Sequence, residues 1–569
     1  MQTRMLGADA RLGTRGAILV PGSHSTSTRR ALVSGGLAVG VIFAVFHLTA
    51  LGSPPQDTST GRGHLERGMQ LAQSGDLKGA EAELRRAIEL APRDAPALSA
   101  LGVILGMQQR LAESNVCLER ALAIDPADFA ARRNLGSNQF QLGQLKPAKE
   151  NLERALRQKP ADKTATMLLG MVEEELQNYA RAIEMFKSVP DQVREQPQSI
   201  VALARAYYRT GQPDKARAAL HELEGHPAGP EGLLLGGQVA SQADDLTTAE
   251  RMFASALATH PDRAKVGFNL ALVQYRNNRI EECRATLETL LKAGQLTSDI
   301  FNLLAWCYHK EGNLKEAIRA MDLAIDREPS REANYLDLAM ILTEHRRYSV
   351  ALVAAKKAVE VAPDSYQAHR WKGFIETKLH YSLEAIKSYS RAVEIRPDAA
   401  EALLGLAVAQ MSEGKLADAQ ATFQKGIERF PRDALLHQEY GRMLILWEDR
   451  DAASQARGVS LLKTALALDS TLAESHFQLG KLAMRDGKNQ EALEHLETAA
   501  KLSPRNGSVH YALAGLYRRL GRSEEAAKEI REFETLKEDQ SESLPDVRAQ
   551  EARPSAIEGA SDMKSRGRQ

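Results

Sequence analysis

Apolar residues recur along most of the chain at helical spacing, and short charged stretches separate them. Residues 311–329, EGNLKEAIRAMDLAIDREP, show the pattern, with one charged face, one alanine-rich face and a closing proline. This spacing predicts an amphipathic helix. The proline ends it, because the residue before a proline is pushed out of the α region. Similar stretches occur at residues 74–92, 413–431 and 486–504, so the sequence predicts a chain of repeated helical elements.

The repeat length follows from the closing proline. It recurs every 34 residues in two groups, Pro92, Pro126 and Pro160, and then Pro329, Pro363, Pro397 and Pro431. Division of the chain at intervals of about this length gives fourteen repeats, which begin near residues 61, 95, 129, 163, 197, 230, 264, 298, 332, 366, 400, 434, 473 and 507. The twelfth repeat has its small residues at the same positions as the others only if about five residues near EDRDAASQA are an insertion.

Small residues occupy fixed positions within the repeats. Position 8 is Gly or Ala in all fourteen, and position 20 is small in thirteen. Two antiparallel helices approach closely only where the facing side chains are small. Position 15 is glycine in half of the repeats, which suits the left-handed residue that ends a helix; these are Gly75, Gly143, Gly211, Gly312, Gly414, Gly487 and Gly521. Each repeat is therefore predicted to be a helix–turn–helix that buries its apolar face only by stacking on its neighbours.

With small residues at positions 8 and 20, alanine often at 27 and proline at 32, residues 61–536 resemble the tetratricopeptide repeat family. The resemblance implies an all-α fold, an α-solenoid (superhelix) of about fourteen helix-turn-helix repeats. Around residues 188–230 the closing proline departs from its usual position in the repeat. The sequence leaves open whether the array has a kink there or breaks into two sub-arrays. The resemblance says little about function, because this family serves as a protein-binding scaffold in many unrelated systems.

The two ends of the chain differ from the repeats. Residues 1–30 contain five arginines and one acid, and residues 31–51 contain no charged side chain. About 20 apolar residues span a bilayer core, so 31–51 is predicted to be a transmembrane helix or signal-anchor. The arginine bias places the N-terminus in the cytoplasm and the repeats on the extracytoplasmic side. Cleavage near Ala50-Leu51-Gly52 is the alternative, giving a secreted or periplasmic protein. Residues 52–60 form a linker, and the polar residues 537–569 are predicted to be disordered.

Composition and motifs argue against several kinds of chemistry. The chain has 74 basic and 74 acidic residues, and a net charge of zero does not favour nucleic-acid binding. The sequence contains no phosphate-binding loop, dinucleotide fingerprint or paired zinc motif. We therefore expect no catalytic residue, cofactor, metal or small-molecule substrate. The run Glu173-Glu174-Glu175 is interpreted as a solvated helix face, and Cys283, in a small-residue position, as a buried structural thiol.

Candidate binding residues follow from the resemblance. In this family the first helix of each repeat lines the inner, concave surface through positions 2, 5, 9, 12 and 13. Positions 5 and 9 of the seventh to eleventh repeats give a mostly apolar row, the kind of surface that binds a peptide or helix. The candidates from this row are Phe268, Leu272, Trp306, Leu336, Met340, Arg370 and Phe374. Trp306 and Arg370 are of types that often anchor interfaces. The alternative is that these side chains only pack between helices.

Together these observations predict a non-enzymatic scaffold for protein–protein interaction. It would be tethered to a membrane through residues 31–51 and would bind proteins or peptides in its concave groove. The alternative is a repeat subunit of a cell-envelope export or polysaccharide-processing assembly. The residues by which one variant of the family grips a carboxylate are absent, since the nearest repeat has Arg133 at position 5 but Ser137 at position 9.

Overall fold

The structure, a computed structural model, describes residues 60–225, 229–446 and 451–551, with side chains described as far as residue 538. Within these ranges the chain forms helices and no strands, which confirms the all-α prediction. The described residues divide into two compact units, an N-terminal unit that ends at Leu296 and a C-terminal unit that begins at Thr297.

The described part of the N-terminal unit contains the helices of the first seven repeats. Consecutive helices pack against each other as antiparallel pairs. They are α1 Gly61–Gln73, α2 Leu77–Leu90, α3 Ala95–Met107, α4 Leu111–Ile124, α5 Phe129–Gln141, α6 Leu145–Gln158, α7 Lys163–Glu175, α8 Tyr179–Ser188, α9 Pro190–Glu195, α10 Pro197–Arg209, α11 Pro213–His221, α12 Gly229–Gln242, α13 Leu246–Leu257, α14 Arg263–Arg276 and α15 Ile280–Lys292.

The described part of the C-terminal unit contains the helices of the remaining repeats. They are α16 Ser298–Lys310, α17 Leu314–Arg327, α18 Glu332–Glu344, α19 Tyr348–Val361, α20 Tyr366–Lys378, α21 Ser382–Ile395, α22 Ala400–Ser412, α23 Leu416–Arg429, α24 Ala434–Leu446, α25 Ala452–Leu468, α26 Ala473–Arg485, α27 Asn489–Leu502, α28 Gly507–Arg519 and α29 Ser523–Glu551. In this unit too, the first and second helix of each repeat form the closest pair.

In the turns between the first repeats, a residue that ends one helix lies close to a residue that caps the next helix. In the first three repeats the closing proline is followed two residues later by an aspartate. That aspartate caps the next helix, because its carboxylate accepts a backbone N–H three residues on. The N···Oδ1 distances are 3.1 Å for Asp94, 2.9 Å for Asp128 and 2.7 Å for Asp162.

In the thirteen repeats whose turn the structure describes, the residue at position 15 is left-handed. The glycines predicted for this role have φ between 73° and 87°. Six repeats have the same conformation without glycine, with φ between 59° and 65°, at Gln109, Gln177, Asp244, Asn278, Arg346 and His380. A left-handed conformation costs an ordinary residue about 1–2 kcal/mol. The turn is therefore held by helix packing as well as by glycine.

The small residue at position 8 makes room for a large side chain on the second helix. A Cβ placed on Gly68, Gly102 or Gly136 would lie 2.6–2.8 Å from a leucine Cγ at position 24. It would also lie 3.3 Å from the backbone oxygen of position 20, which explains why that position is small as well. The facing leucines are Leu84, Leu118 and Leu152, and in later repeats Phe186, Phe253 and Tyr389 occupy the same place.

The structure resolves two irregularities that the sequence left open. Between residues 188 and 225 the extra short helix α9 accommodates the drift in the proline signal, and α10 packs on both α8 and α12. One apolar cluster runs from Phe140 to Val273, so the array does not break there. In the twelfth repeat, Gly441 lies against the backbone of Gly458 and the side chain of Leu462. These take the roles of positions 20 and 24, which confirms an insertion between 441 and 458.

The predicted membrane anchor at 31–51 lies outside the described residues, as do residues 1–30 and 52–59. Across the described ranges, no helix combines the length and the apolar character needed to cross a membrane. Most helices have 13 or 14 residues, about 20 Å at 1.5 Å per residue, and the 29-residue α29 is strongly charged. On this finding the prediction of a single-pass membrane protein is wrong.

The C-terminal boundary stays a prediction. Helix α29 extends to Glu551, beyond the start of the tail predicted at residue 537. Residues 552–569 lie outside the described residues.

Adding a methyl group at position 8 should weaken one helix pair. In Gly102→Ala the new Cβ would lie 2.6 Å from Cγ of Leu118, and overpacking of this kind costs about 1–3 kcal/mol. Hydrogen exchange should show a lower free energy of opening for α3 and α4.

Gly515→Ala in α28 is the matched control. A Cβ there would meet nothing within 4 Å, so the better helix propensity of alanine should stabilise that helix by about 0.5–1 kcal/mol. Equal effects at the two glycines would contradict the packing role of position 8.

Candidate partner-binding surface

The structure distributes the seven candidate residues over both units. Phe268 and Leu272 lie on α14 of the N-terminal unit. The other five lie on α16, α18 and α20 of the C-terminal unit. In that unit α18 packs against both α16 and α20, so the first helices of three successive repeats form one continuous row.

Burial separates the candidates into two groups. Leu272, Trp306 and Met340 are only 3–6% exposed, so they are packed between helices, which was the alternative interpretation. Four are half-buried and keep surface that a partner could contact, namely Phe268, Leu336, Arg370 and Phe374. Partner binding by any of the seven remains a prediction.

Trp306 lies beside a buried polar network that the sequence did not indicate. Asn302 Nδ2 donates to Asp337 Oδ2 at 2.8 Å and to Asn334 Oδ1 at 3.1 Å. Asn334 Nδ2 in turn donates to Ser298 Oγ at 2.9 Å. These groups are at most 9% exposed, and burial raises the pKa of Asp337 to about 7 although Asn302 and Trp306 favour the ionised form. The network joins α16 to α18.

A second chain of titratable groups links the same two helices. His309 Nε2 lies 2.9 Å from Glu344 Oε2, and His309 Nδ1 lies 3.2 Å from His345 Nε2. Burial lowers the pKa of His345, and the neighbouring His309 lowers it further. The hydrogen bond from His309 lowers the pKa of Glu344. One of the two facing imidazole nitrogens must be unprotonated to accept the bond, so this link requires at least one neutral histidine.

On α20, two aromatic rings lie between two cations. The rings of Trp371 and Phe374 meet edge to face, with centroids 5.6 Å apart. Lys378 Nζ lies 5.1 Å from the centroid of Phe374, and Arg370 Cζ lies 5.1 Å from that of Trp371. We call Arg370, Trp371, Phe374 and Lys378 the aromatic–cation cluster. Arg370, Phe374 and Lys378 follow each other at intervals of four residues, so they share one side of the helix, and Trp371 lies three residues before Phe374.

The interpretation of Glu173-Glu174-Glu175 as a solvated face is wrong for its first two members. Glu173 is fully buried, and its Oε1 lies 3.0 Å from Lys149 Nζ and 3.1 Å from Arg181 Nη1. Glu174 is 3% exposed and lies 3.1 Å from Arg205 Nη1. Burial raises the pKa of Glu174 to about 7. Lys149 and Arg205 come from the neighbouring repeats and Arg181 from the second helix of the same repeat, which a charge count along one helix does not reveal. Cys283 is buried, as predicted.

Several histidines have a structural role at position 4 of a repeat. His369 Nε2 and His510 Nε2 each donate, in the tautomer that carries the proton there, to the backbone oxygen of a proline six residues earlier, at 2.9 Å. Tyr335 Oη makes the same bond at 2.9 Å. Throughout the described ranges, no group of three or more His, Cys, Asp and Glu side chains could hold a metal ion.

The pH dependence of the α16–α18 contact tests the polar network. Asp337 has a pKa of about 7 in the folded chain and about 3.9 when unfolded. The folded state therefore binds more protons between these values, and the free energy of unfolding falls as pH rises from about 4 to about 7, by at most about 1.4 kcal/mol per pH unit.

In Asp337→Asn this dependence should disappear from the opening free energies of α16 and α18, measured by hydrogen exchange at pH 5 to 8. The exposed control Asp418→Asn should behave as the unmodified chain does. A pH slope that is unchanged in Asp337→Asn would contradict the assignment.

Comparisons with known proteins agree with the helical repeats. Three family models, each described as tetratricopeptide repeat, match the chain. One matches residues 173–231, 240–307 and 383–438, a second 133–199 and 477–541, and a third 298–331. Together they cover more than half of the chain.

Individual proteins show weaker similarity. Protein CTR9 homolog of Arabidopsis thaliana is 24% identical over 256 residues, covering 42% of this chain and 22% of that protein. Protein O-mannosyl-transferase TMTC3 of Homo sapiens is 25% identical over 170 residues, covering 30% of this chain and 18% of that protein. The crystal structure of yeast Tom70 aligns with 16% identity and a TM-score of 0.37, covering 88% of this chain and 99% of that chain.

This chain therefore spans about a fifth of the length of these two curated relatives. The helix pairs, the small residues at positions 8 and 20 and the three matching models lead to one assignment. The chain belongs to the tetratricopeptide repeat family.

Proposed function

We propose that this protein is a non-enzymatic scaffold that binds a segment of another protein on the first helices of its C-terminal unit. The observation that carries the proposal is the row formed by Leu336 on α18 and the aromatic–cation cluster on α20. These side chains lie on adjacent helices, and Leu336, Arg370 and Phe374 keep part of their surface exposed.

The buried polar groups near this row support a binding role over a catalytic one. Asp337 accepts a hydrogen bond through Oδ2, and His309 contacts Glu344 and His345. Both side chains are at most 9% exposed, so they are buried among the helices that they join. A catalytic acid or base has to reach a substrate. The transferase named among the relatives is matched over 18% of its length, so its activity does not carry over to this chain.

The row has the composition of a protein-binding surface. Aromatic residues and arginine are enriched at interface hot spots, because they present large contact areas. Phe374 packs on the cluster that contains Tyr389 and Leu406, so its ring is held in place before a partner arrives. A preorganised side chain loses less entropy on binding. The alternative of an export or polysaccharide-processing subunit stays a prediction.

Truncating Phe374 should weaken binding without unfolding the protein. Peptides selected from a displayed random library against the full chain would serve as the probe, with affinity measured by fluorescence polarisation. Phe374→Ala should reduce affinity at least tenfold, since truncating an interface aromatic costs about 2 kcal/mol or more. Leu336→Ala tests a second helix of the row and should also weaken binding.

Two further variants separate binding from folding. Leu383→Ala removes an exposed leucine from the second helix α21, and affinity should stay unchanged. Trp306→Ala removes a side chain that is 3% exposed, so it should instead cost about 3–5 kcal/mol of stability and lower the melting temperature. Unchanged affinity in both Phe374→Ala and Leu336→Ala would overturn the proposed function.

A further inference from the structure

We infer that the aromatic–cation cluster binds an acidic segment of a partner protein, in which an Asp or Glu carboxylate contacts Lys378 and a neighbouring apolar side chain contacts Phe374. The inference rests on the proposed function and adds the chemistry of the partner. It follows from the surroundings of Lys378, from the charges near it and from the apolar surface beside it.

Lys378 is a half-buried cation without an ion pair among the described residues. Its Nζ lies 5.1 Å from the centroid of the Phe374 ring, and the charged group that acts on its pKa is another cation, Arg346. Burial lowers the pKa of Lys378, and Arg346 lowers it further. Removing a charge from water is unfavourable unless an opposite charge or hydrogen bonds compensate. A ring face compensates only in part.

Other half-buried cations on first helices are paired within the protein. Arg133 lies 3.4 Å from Asp162, Arg205 lies 3.1 Å from Glu174, and Arg442 lies 2.7 Å from Glu439. Lys372, on the same helix as Lys378, lies 2.8 Å from Glu376. The chain therefore usually supplies a carboxylate to a cation in this environment, and at Lys378 it supplies an aromatic ring.

The nearby carboxylates are already engaged elsewhere. Glu376 pairs with Lys372 and accepts a hydrogen bond from Ser388 Oγ at 2.7 Å. Glu344, on α18, contacts His309 at 2.9 Å. Neither carboxylate therefore pairs with Lys378, whose ammonium group lies beside the ring of Phe374. A partner with acidic side chains would complement this charge, and it would form a charge-assisted hydrogen bond in a partly desolvated place.

The ring of Phe374 determines which type of residue should lie next to the acidic residue in the partner segment. Its half-exposed face, with Leu336 on the adjacent helix, offers apolar surface next to the ammonium group. A segment with an acidic residue close to a leucine or an aromatic residue would use both features. A purely acidic segment would use only the charge, and a purely apolar one would leave Lys378 unpaired.

Lys378 also ends α20, and a cation in the last turn of a helix interacts favourably with the helix dipole. That role alone would make Lys378 matter for stability and not for the choice of partner. The two roles give different results in a charge-reversal experiment.

The experiment selects 12-residue peptides from a displayed random library against the full chain, against Lys378→Glu and against a matched control. The control is Lys356→Glu, which reverses an exposed lysine on the second helix α19. The unmodified chain and the control should both enrich peptides with Asp or Glu near an apolar residue. Selection against Lys378→Glu should enrich peptides that have Lys or Arg in place of the Asp or Glu. This variant should also bind the original peptides at least tenfold more weakly. Their affinity for the unmodified chain should also fall as salt rises.

The outcomes separate this inference from the proposed function. Peptide affinity could fall in Phe374→Ala or Leu336→Ala while Lys378→Glu selects the same peptide sequences as the unmodified chain. In that case the acidic-partner inference is overturned and the proposed binding surface stands. If Lys378→Gln lowers the melting temperature and leaves the selected peptides unchanged, Lys378 acts only at the helix end, and the inference again fails. If binding depends neither on Phe374 nor on Leu336, the proposed function fails as well.

Discussion

The close contact between a small residue at position 8 and a large one at position 24 is the constraint on which the repeats depend. At Gly102 an added Cβ would lie 2.6 Å from the leucine opposite, so the two helices of the repeat could not approach as closely. The same arrangement recurs with leucine, phenylalanine or tyrosine as the large partner. In the repeats that have glycine at position 8, close packing of this kind leaves no room for an added methyl group. Each pair then buries its remaining apolar face against the next repeat.

This constraint also decides which side chains remain for binding. Residues such as Trp306 and Met340 are taken up by packing between helices, and polar groups such as Asn302 and Asp337 join neighbouring first helices from within. Positions at the border of the packing stay half-exposed, as Phe374 and Lys378 do. The aromatic–cation cluster on α20 is such a place. A scaffold can therefore acquire a specific binding site through a few substitutions on one helix.

The helices and their order could be predicted because position 8, position 15 and the closing proline each have a local backbone or packing cause. The six left-handed residues that are not glycine, Gln177 and Arg346 among them, have no such local signal. The burial of Glu173 and the Asn302–Asp337 bond depend on partners in neighbouring repeats, which periodicity within one repeat cannot show. For the same reason the sequence left open whether Trp306 contacts a partner or packs between helices, since position 9 alone does not determine burial.

The central claim is that stability is assembled locally, from helix pairs and the contacts between neighbouring repeats. Hydrogen exchange on Ala317→Leu tests it most directly, because Ala317, at position 20 of the eighth repeat, is fully buried against the first helix of its own repeat. The account predicts faster exchange in α16 to α19 and unchanged exchange in α1 to α6. A uniform loss of protection along the whole chain would contradict it.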